Sequence, residues 1–164
     1  MTNPRPVRLH LLRHADAVEP STWNGDDASR PLTPDGRRQA DMLGRHLAVM
    51  RLDPDVILAS SRLRAQETAR IVGDHLGRPI RVEVRLASAF GRRELEAMLA
   101  DAGRPERPLL VGHDPDLSEL ASALTGAAIA LRKGAMVAID IEAGLGPGAG
   151  RLRWLLPPEV VAGS

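Results

Sequence analysis

Arginine and histidine side chains recur directly after apolar runs at three separate places in this sequence. The run in LHLLRHADA ends in Arg13 and His14, SSRLRAQET contains Arg62 and Arg64, and the run in PLLVGHDPDL ends at His113. Open α/β sheets bind ligands beyond the carboxyl ends of their strands, so residues that close strands are the first candidates for a site. Three such ends that meet at one edge would form a positively charged cavity, which an anion must fill.

Phosphate is the anion that fits these residue types best. The planar fork of arginine matches phosphoryl oxygens bidentately and keeps its charge at any working pH. Because the positive charge of Arg13 disfavours protonation of the adjacent His14, we expect a lowered pKa and a ring nitrogen free to act as a nucleophile. A histidine nucleophile accepts a phosphoryl group and passes it to water, while Arg13, Arg64 and His113 stabilise charge on the transferring oxygens.

Six runs of strand length and four helical patterns must position these residues. The strand candidates are VRLHLLR (7–13), DVILAS (55–60), IRVEVR (80–85), PLLVGH (108–113), AMVAIDIEA (135–143) and RLRWLL (151–156), and the helical patterns begin at Thr33, Leu63, Arg92 and Pro115. Strands that alternate with helices imply crossover connections and a largely parallel sheet. The glycine-rich EAGLGPGAG predicts a hairpin, so one of the last two strands runs antiparallel to its neighbour. We therefore predict an α/β fold, a three-layer α/β/α sandwich with a mostly parallel mixed sheet of about six strands.

Length and composition exclude several classes of protein. The 164 residues fit a single domain over 1–164, and the absence of cysteine removes disulfides, thiolate metal sites and cysteine nucleophiles. A net charge of +1, with basic residues scattered along the chain, argues against a nucleic-acid partner. No apolar run is long enough for a membrane span and no signal peptide is evident, so we expect a cytoplasmic protein. Without heptads or a large apolar stripe we expect a monomer with transient protein contacts, and nothing demands a cofactor.

Together these motifs resemble the histidine phosphatase superfamily, whose fold is phosphoglycerate mutase-like. LLRHADA resembles its Arg-His-Gly signature, with Ala15 where glycine is commonest, and RPLTPDGRRQA, SSRLRAQET and VGHDP resemble its later motifs in the expected order. The resemblance implies that Arg13 and Arg64 bind phosphate and that His14 becomes the phosphohistidine intermediate. It also implies that His113 hydrogen-bonds the transferring group.

Arg62 and Lys133 are candidates for the edge of the same site. Strand alternation allows Arg62 to share the site, although the family motif has a variable residue there, so we interpret it as a neighbour of the phosphate. Lys133, in LRKGAM, resembles a basic position in short relatives, which would make it a substrate-binding residue. A solvated surface lysine is the alternative interpretation of Lys133.

The loop after the third predicted strand, RLASAFGRRELEAM, bears on the substrate. Larger members of the superfamily carry a carboxylic acid there that protonates the leaving oxygen, whereas this loop has no carboxylate before Glu94, inside a predicted helix. General acid catalysis contributes about 10²–10⁴-fold for an alkoxide, but a phosphohistidine imidazole leaves readily as a neutral ring. The chain also lacks the large inserted lid of bigger relatives. Both departures favour the small SixA-type phosphatases, which remove phosphate from phosphohistidine on proteins.

Three alternatives remain open from the sequence. A phosphomonoesterase of the same superfamily, acting on a small phosphorylated substrate, would use Glu94, Asp16 or Asp114 as its acid. The His/Asp pairs in RHAD and GHDPD could belong to a metal-dependent phosphohydrolase, but arginines aimed at the cation disfavour this, and we predict no metal. The third alternative is a phosphate-binding module without turnover.

Overall fold

A mixed sheet of six strands forms the centre of the computed structural model, which describes residues 5–162. The strands are β1 (Val7–Arg13), β2 (Val56–Ala59), β3 (Ile80–Val82), β4 (Pro108–Gly112), β5 (Met136–Ile141) and β6 (Gly150–Leu156). Their order across the sheet is β3-β2-β4-β1-β5-β6. The number of strands predicted for this part of the chain is therefore confirmed.

Strands β1 to β4 run parallel, so their carboxyl ends share one edge of the sheet. Arg13 lies opposite Gly112 in the β1–β4 register, which brings the ends of these two central strands side by side. Strand β5 runs antiparallel to both β1 and β6, which confirms the predicted hairpin. Strand β3 is shorter than predicted because the Glu83 carboxylate accepts hydrogen bonds from the Arg85 backbone and guanidinium and turns the chain into a 3₁₀ helix, Val84–Ala87.

Five α-helices flank the sheet within the described residues: α1 (Pro34–Val49), α2 (Leu63–Leu76), α3 (Arg92–Asp101), α4 (Asp116–Thr125) and α5 (Pro158–Ala162). Four correspond to the predicted helical patterns, whereas α5 is too short to give a periodic signal. Helix α1 begins where the Thr33 hydroxyl accepts a hydrogen bond from the Gly36 amide, and α2 ends at Gly77 in the left-handed conformation. Among residues 5–162, no helix is both long and apolar enough to cross a bilayer.

Apolar side chains cover both faces of the sheet and make the molecule three layers deep. On one face, β-strand residues such as Leu9 and Leu11 pack with residues of α3 and α4 such as Leu95 and Leu117. The other face packs against α1 and α2, with Leu12 among the buried strand residues. The predicted three-layer α/β/α sandwich is therefore confirmed.

The loop over 14–33, which follows β1, is held close to α1. A small apolar cluster of Ala15, Ala17, Leu32 and Ala40 anchors both ends of this loop. A Cβ atom at Gly36 would lie 1.9 Å from the Asp16 carbonyl oxygen, so only glycine allows this approach of the loop to the helix. The residues after β1 are thereby fixed in position although they have no regular secondary structure.

Candidate active site

A pocket of about 430 Å³ opens where the carboxyl ends of β1 and β4 meet the start of α2 and the loop over 14–33. All six site residues predicted from the sequence line it, namely Arg13, His14, Arg62, Arg64, His113 and Lys133. Glu19, Pro20, Arg30, Ala87, Ser88, Asp114 and Asp116 complete the lining. The fold thus brings together residues that are as much as 120 positions apart in the chain, from Arg13 to Lys133.

His14 is buried at the base of the pocket with its ring oriented by the backbone. Its Nδ1–H donates a 2.7 Å hydrogen bond to the Ala15 carbonyl oxygen, which leaves Nε2 unprotonated in the neutral ring. Burial, and after it the positive charges of Arg64, Arg13 and Lys133, lowers the pKa of His14 to about 4 against the opposing effect of the Ala15 bond. A neutral imidazole with a bare Nε2 is the form that can attack phosphorus.

The backbone around His14 is clamped from three directions. The His14 amide donates to the Gly112 carbonyl at 3.0 Å, and the Gly134 amide donates to the His14 carbonyl at 3.0 Å. The Ala15 amide donates to the Thr68 hydroxyl of α2 at 3.1 Å. Because β4, the turn before β5 and α2 all hold the same segment, the position of the His14 ring is defined before any substrate binds.

His113 stands beside His14, with ring centroids 5.3 Å apart and ring planes tilted by 55°. Its Nε2 lies 2.7 Å from the Ser60 hydroxyl oxygen, whereas the buried Nδ1 has no partner. Burial, and after it the neighbouring His14, Arg64 and Arg62, lowers the pKa of His113 to about 3. A Ser60 hydroxyl that donates to Nε2 would place the ring proton on Nδ1, where it is available as a hydrogen-bond donor.

The two central arginines have unused donors. The Arg13 Nη1 donates to the Leu131 carbonyl at 2.9 Å and lies 3.7 Å from the Asp114 carboxylate. The buried Arg64 directs Nη1 to the Asp27 carbonyl at 3.0 Å and Nη2 to the Asp27 carboxylate at 3.3 Å. In both residues the buried Nε–H has no partner. Buried, charged donors without acceptors favour the binding of an anion.

Arg62 and Lys133 approach the pocket from opposite sides. Arg62 is the residue that immediately precedes α2, and its Nη1 donates to the Asp27 carboxylate at 2.7 Å. The Lys133 Nζ lies 3.3 Å from the Asp16 carboxylate and 3.6 Å from that of Glu19. Lys133 is only partly exposed, which places it at the rim of the pocket rather than free in solvent.

Sequence reasoning missed Arg30, Asp27 and Ser60. Arg30 lines the pocket and is almost fully buried, with Nε donating to Asp27 at 3.1 Å and Nη1 to the Val18 carbonyl at 2.6 Å. Arg30 begins the RPLTPDGRRQA segment that carries the family resemblance, and this was the available signal. Asp27 and Ser60 gave no signal, because neither the aperiodic loop nor a serine at a strand end indicates which arginine or histidine it contacts.

The three carboxylates considered as a general acid have different surroundings. Glu94 does not line the pocket, since its Oε2 accepts the Gly91 amide at 3.0 Å and caps α3. Asp16 does not line it either. Its carboxylate accepts a hydrogen bond from the Thr33 hydroxyl at 2.7 Å and forms an ion pair with Lys133. Asp114 does line the pocket, but its carboxylate accepts two hydrogen bonds from Ser118. Within residues 5–162, no group of three or more histidine, aspartate or glutamate side chains could hold a metal ion.

A nucleophilic imidazole surrounded by arginines at the carboxyl edge of the sheet defines a phosphoryl-transfer protein. The model of the histidine phosphatase superfamily (branch 1) matches residues 9–132. An uncharacterized protein of Picosynechococcus sp. is 31% identical over 92% of this chain and 100% of the relative. The chain therefore belongs to the histidine phosphatase superfamily, and it is a phosphatase.

Two further similarities concern the fold and the range of relatives. The solved structure of the protein histidine phosphatase SixA complexed with tungstate superimposes with a TM-score of 0.81 at 24% identity, covering 94% of this chain and 99% of the other. This likeness establishes the fold. The 8-oxo-(d)GTP phosphatase of Mycolicibacterium smegmatis is 31% identical over 65% of this chain, and the match covers 34% of that protein.

Proposed function

We propose that this phosphatase removes phosphoryl groups from phosphohistidine on proteins, without a metal, through a phosphohistidine intermediate on His14. One observation carries the proposal: the pocket aligns a neutral imidazole nucleophile among arginines, yet every carboxylate lining it already has a hydrogen-bond or ion-pair partner. Glu19 faces Lys133, Asp114 accepts from Ser118, and Asp116 accepts the Phe90 amide at 3.1 Å. Carboxylates that are already held by other partners are poorly placed to deliver a proton to an alkoxide leaving group.

A phosphohistidine substrate makes a general acid unnecessary. In the first step His14 Nε2 bonds to phosphorus while the P–N bond of the substrate breaks, and the electron pair stays on the departing nitrogen. When the substrate ring carries a proton on its other nitrogen, it leaves as a neutral imidazole. His14 then carries the phosphoryl group on Nε2 and keeps its proton on Nδ1, bonded to Ala15. The transfer is thus between two imidazoles of similar leaving ability, and no proton has to be delivered.

Hydrolysis of the phosphohistidine intermediate likewise needs no proton delivered to the departing imidazole. The oxygen of a water molecule bonds to phosphorus, the P–Nε2 bond breaks, and its electron pair returns to the His14 ring as a neutral nitrogen. Both protons of the water leave with the phosphate. Arg13 and Arg64 are placed to hold the equatorial oxygens in both steps, with His113 as a further donor, and this stabilisation of charge supplies most of the acceleration.

A second cavity supports a protein substrate over a small molecule. This cavity, called the side groove here, has a volume of about 830 Å³ and shares Arg13 and Lys133 with the catalytic pocket. Its lining includes the exposed Met42 of α1 and apolar residues of α5. The basic Arg38 and Arg132 also line it. We propose that it receives the polypeptide around the phosphohistidine, through apolar side chains flanked by acidic ones.

The charges of the side groove favour an acidic partner. Its two acidic lining residues, Asp35 and Glu159, are each paired with an arginine of the groove, Arg38 and Arg132 respectively. The remaining basic residues of the lining are the shared Arg13 and Lys133, whose carboxylate partners, Asp114 for Arg13 and Asp16 and Glu19 for Lys133, lie outside the groove lining. We further propose that the substrate is a signalling or phosphotransfer protein, and that the enzyme acts on it as a monomer in the cytoplasm, without a cofactor.

The test compares phosphate release from a phosphohistidine-bearing protein and from p-nitrophenyl phosphate, each in excess EDTA. We expect kcat/KM for the protein to exceed that for the ester by at least about 10²-fold, since the ester lacks both the easy leaving group and the groove contacts. Loss of activity with EDTA would contradict the metal-independent mechanism. Equal or faster cleavage of the ester would contradict the preference for phosphohistidine.

A small-molecule phosphomonoesterase is the second candidate. The observation that favours it is the presence of Asp114 and Glu19 in the pocket lining, where one of them could deliver a proton once substrate displaces its present partner. The similarity to an 8-oxo-(d)GTP phosphatase adds weight to this alternative. In the substrate comparison it predicts preferential ester cleavage, together with a large loss of ester hydrolysis in Asp114→Asn or Glu19→Gln.

A further inference from the structure

Asp27 lies at the centre of an arginine cluster that faces the catalytic pocket. Its Oδ2 is 2.7 Å from Arg62 Nη1 and 3.3 Å from Arg64 Nη2, and its Oδ1 accepts from Arg30 Nε at 3.1 Å. The Asp27 backbone carbonyl accepts a further bond from Arg64 Nη1 at 3.0 Å. Within residues 5–162, no other carboxylate pairs with Arg30, Arg62 or Arg64.

The position of Asp27 differs from that of its partners. The three arginines line the pocket, whereas Asp27 does not, so its carboxylate contacts the guanidinium groups from outside the pocket lining. The Asp27 side chain is 48% exposed while that of Arg64 is only 5% exposed. Asp27 therefore connects a buried arginine to a partly solvated loop segment, the 3₁₀ helix Asp27–Ser29.

One negative charge among three positive ones has two consequences. It fixes the orientation of each guanidinium group through charge-assisted hydrogen bonds. Without this carboxylate, mutual repulsion would drive the arginines out of that orientation. It also reduces the positive potential in the pocket and hence the affinity for any dianion, including the phosphate product. Burial raises the pKa of Asp27, but the bonds and charges of Arg30 and Arg64 outweigh this and hold the pKa below its usual range, so the carboxylate is ionised near neutral pH.

We propose that Asp27 is a positioning residue that aligns Arg62 and Arg64 for the phosphoryl group and weakens phosphate binding enough for the product to leave. The inference rests on the proposed role of these arginines as phosphate ligands, and it does not depend on the identity of the substrate. A residue with both effects differs from a purely structural one, because loss of its charge slows catalysis while it tightens the binding of oxyanions.

The experiment separates charge from geometry with two variants of Asp27. Asp27→Asn keeps the size of the side chain and removes its charge, whereas Asp27→Glu keeps the charge and displaces it by one methylene. Asp26→Asn is the matched control, since Asp26 is exposed and, within the described residues, its carboxylate has no hydrogen bond or ion pair. For each protein, kcat with p-nitrophenyl phosphate and the inhibition constants of inorganic phosphate and tungstate are measured at fixed ionic strength.

We expect Asp27→Asn to lower the inhibition constants of both oxyanions about tenfold, because one opposing charge is removed from a partly screened site. Its kcat should fall about tenfold, because the arginine forks lose a charged acceptor. Asp27→Glu should lose kcat while its inhibition constants stay within about twofold of wild type. Unchanged or weaker oxyanion binding by Asp27→Asn overturns the proposal, as does equal tightening in Asp26→Asn.

Folding of the variants is checked by circular dichroism and thermal melting. If Asp27→Asn does not fold alone, tungstate must restore folding by supplying the missing negative charge, and failure to do so also overturns the proposal. Arg64→Ala distinguishes this inference from the proposed site itself. If Arg64→Ala leaves tungstate affinity unchanged, the assignment of Arg64 as a phosphate ligand is wrong. If it weakens that affinity while Asp27→Asn does not tighten it, only the inference about Asp27 fails.

Discussion

The His14 and His113 rings lie 5.3 Å apart at their centroids and are each held by one nitrogen, His14 Nδ1 by the Ala15 carbonyl and His113 Nε2 by Ser60. The nitrogens without partners, His14 Nε2 and His113 Nδ1, then have complementary roles. One can form a bond to phosphorus, and the other can donate to a phosphoryl oxygen. Both rings therefore carry their proton on Nδ1, but the nitrogen without a partner is the bare Nε2 in His14 and the protonated Nδ1 in His113, so the two histidines differ in function.

The first prediction follows from this asymmetry. His14→Asn should lower kcat by at least about 10³-fold and form no phosphoenzyme, whereas His113→Asn should lower kcat about 10²-fold and still form one. Phosphate release gives the rates, and intact mass spectrometry under alkaline quench, where phosphohistidine survives, detects the intermediate. His46→Asn on α1 is the matched control and should retain wild-type activity. A phosphoenzyme in His14→Asn would assign the nucleophile elsewhere.

The second prediction concerns the charge state of His14 and the contribution of Lys133. Because burial together with Arg64, Arg13 and Lys133 lowers the pKa of His14 to about 4, its ring should stay neutral from pH 8 down to about pH 5. Lys133→Gln removes one repulsive charge and should raise this pKa by a fraction of a unit. Side-chain NMR titration of histidine-labelled protein measures it directly, with Arg45→Gln as the control for loss of a distant surface charge. An unmoved titration in Lys133→Gln would make Lys133 a solvated surface residue.

Pattern and strand-end reasoning was enough to predict the central sheet and to assemble the six predicted site residues around one pocket. Arg13, His14 and His113 directly follow or end central strands, so the parallel topology alone brings them together. The contributions of Arg30 and Asp27 could not be predicted in the same way. They lie in the loop over 14–33, whose course depends on tertiary contacts such as Gly36 against the Asp16 carbonyl rather than on periodicity. The early end of β3 likewise depends on a side-chain hydrogen bond, which Arg85 donates to Glu83.

A third prediction concerns stability and does not involve catalysis. His10 of β1 is buried, with Nδ1 3.3 Å from the Pro108 carbonyl and Nε2 without a partner. Burial, with a smaller contribution from the charge of Arg8, lowers its pKa from 6.5 to about 4 against the opposing Pro108 bond. Between pH 4 and pH 6.5, therefore, His10 is protonated in the unfolded chain but stays neutral in the folded protein. Stability is fully present above about pH 6.5 and is lost as the pH falls toward 4.

His10→Leu should remove the share of this pH dependence that belongs to His10, about 3 kcal/mol at most between pH 6.5 and 4. His14 and His113 carry the same sign of shift, so the variant should flatten the decline rather than abolish it. Urea unfolding at a series of pH values gives the free energies, with His46→Leu on α1 as the control. If the free energy of unfolding of His10→Leu falls as steeply with decreasing pH as that of wild type, protonation of His10 does not destabilise the folded protein.

The last prediction tests the side groove as the binding site for a protein substrate. Met42 is exposed in the groove on α1, whereas Val49, at the end of the same helix, is exposed outside it. Met42→Glu introduces a negative charge among residues expected to meet acidic and apolar side chains, so kcat/KM for a phosphohistidine protein should fall about tenfold. The rate for p-nitrophenyl phosphate should stay within about twofold, because a small ester does not extend beyond the catalytic pocket. Val49→Glu should leave both rates unchanged. Equal losses with both substrates would show that Met42 acts on the pocket itself, and no loss with the protein would place its docking surface elsewhere on the molecule.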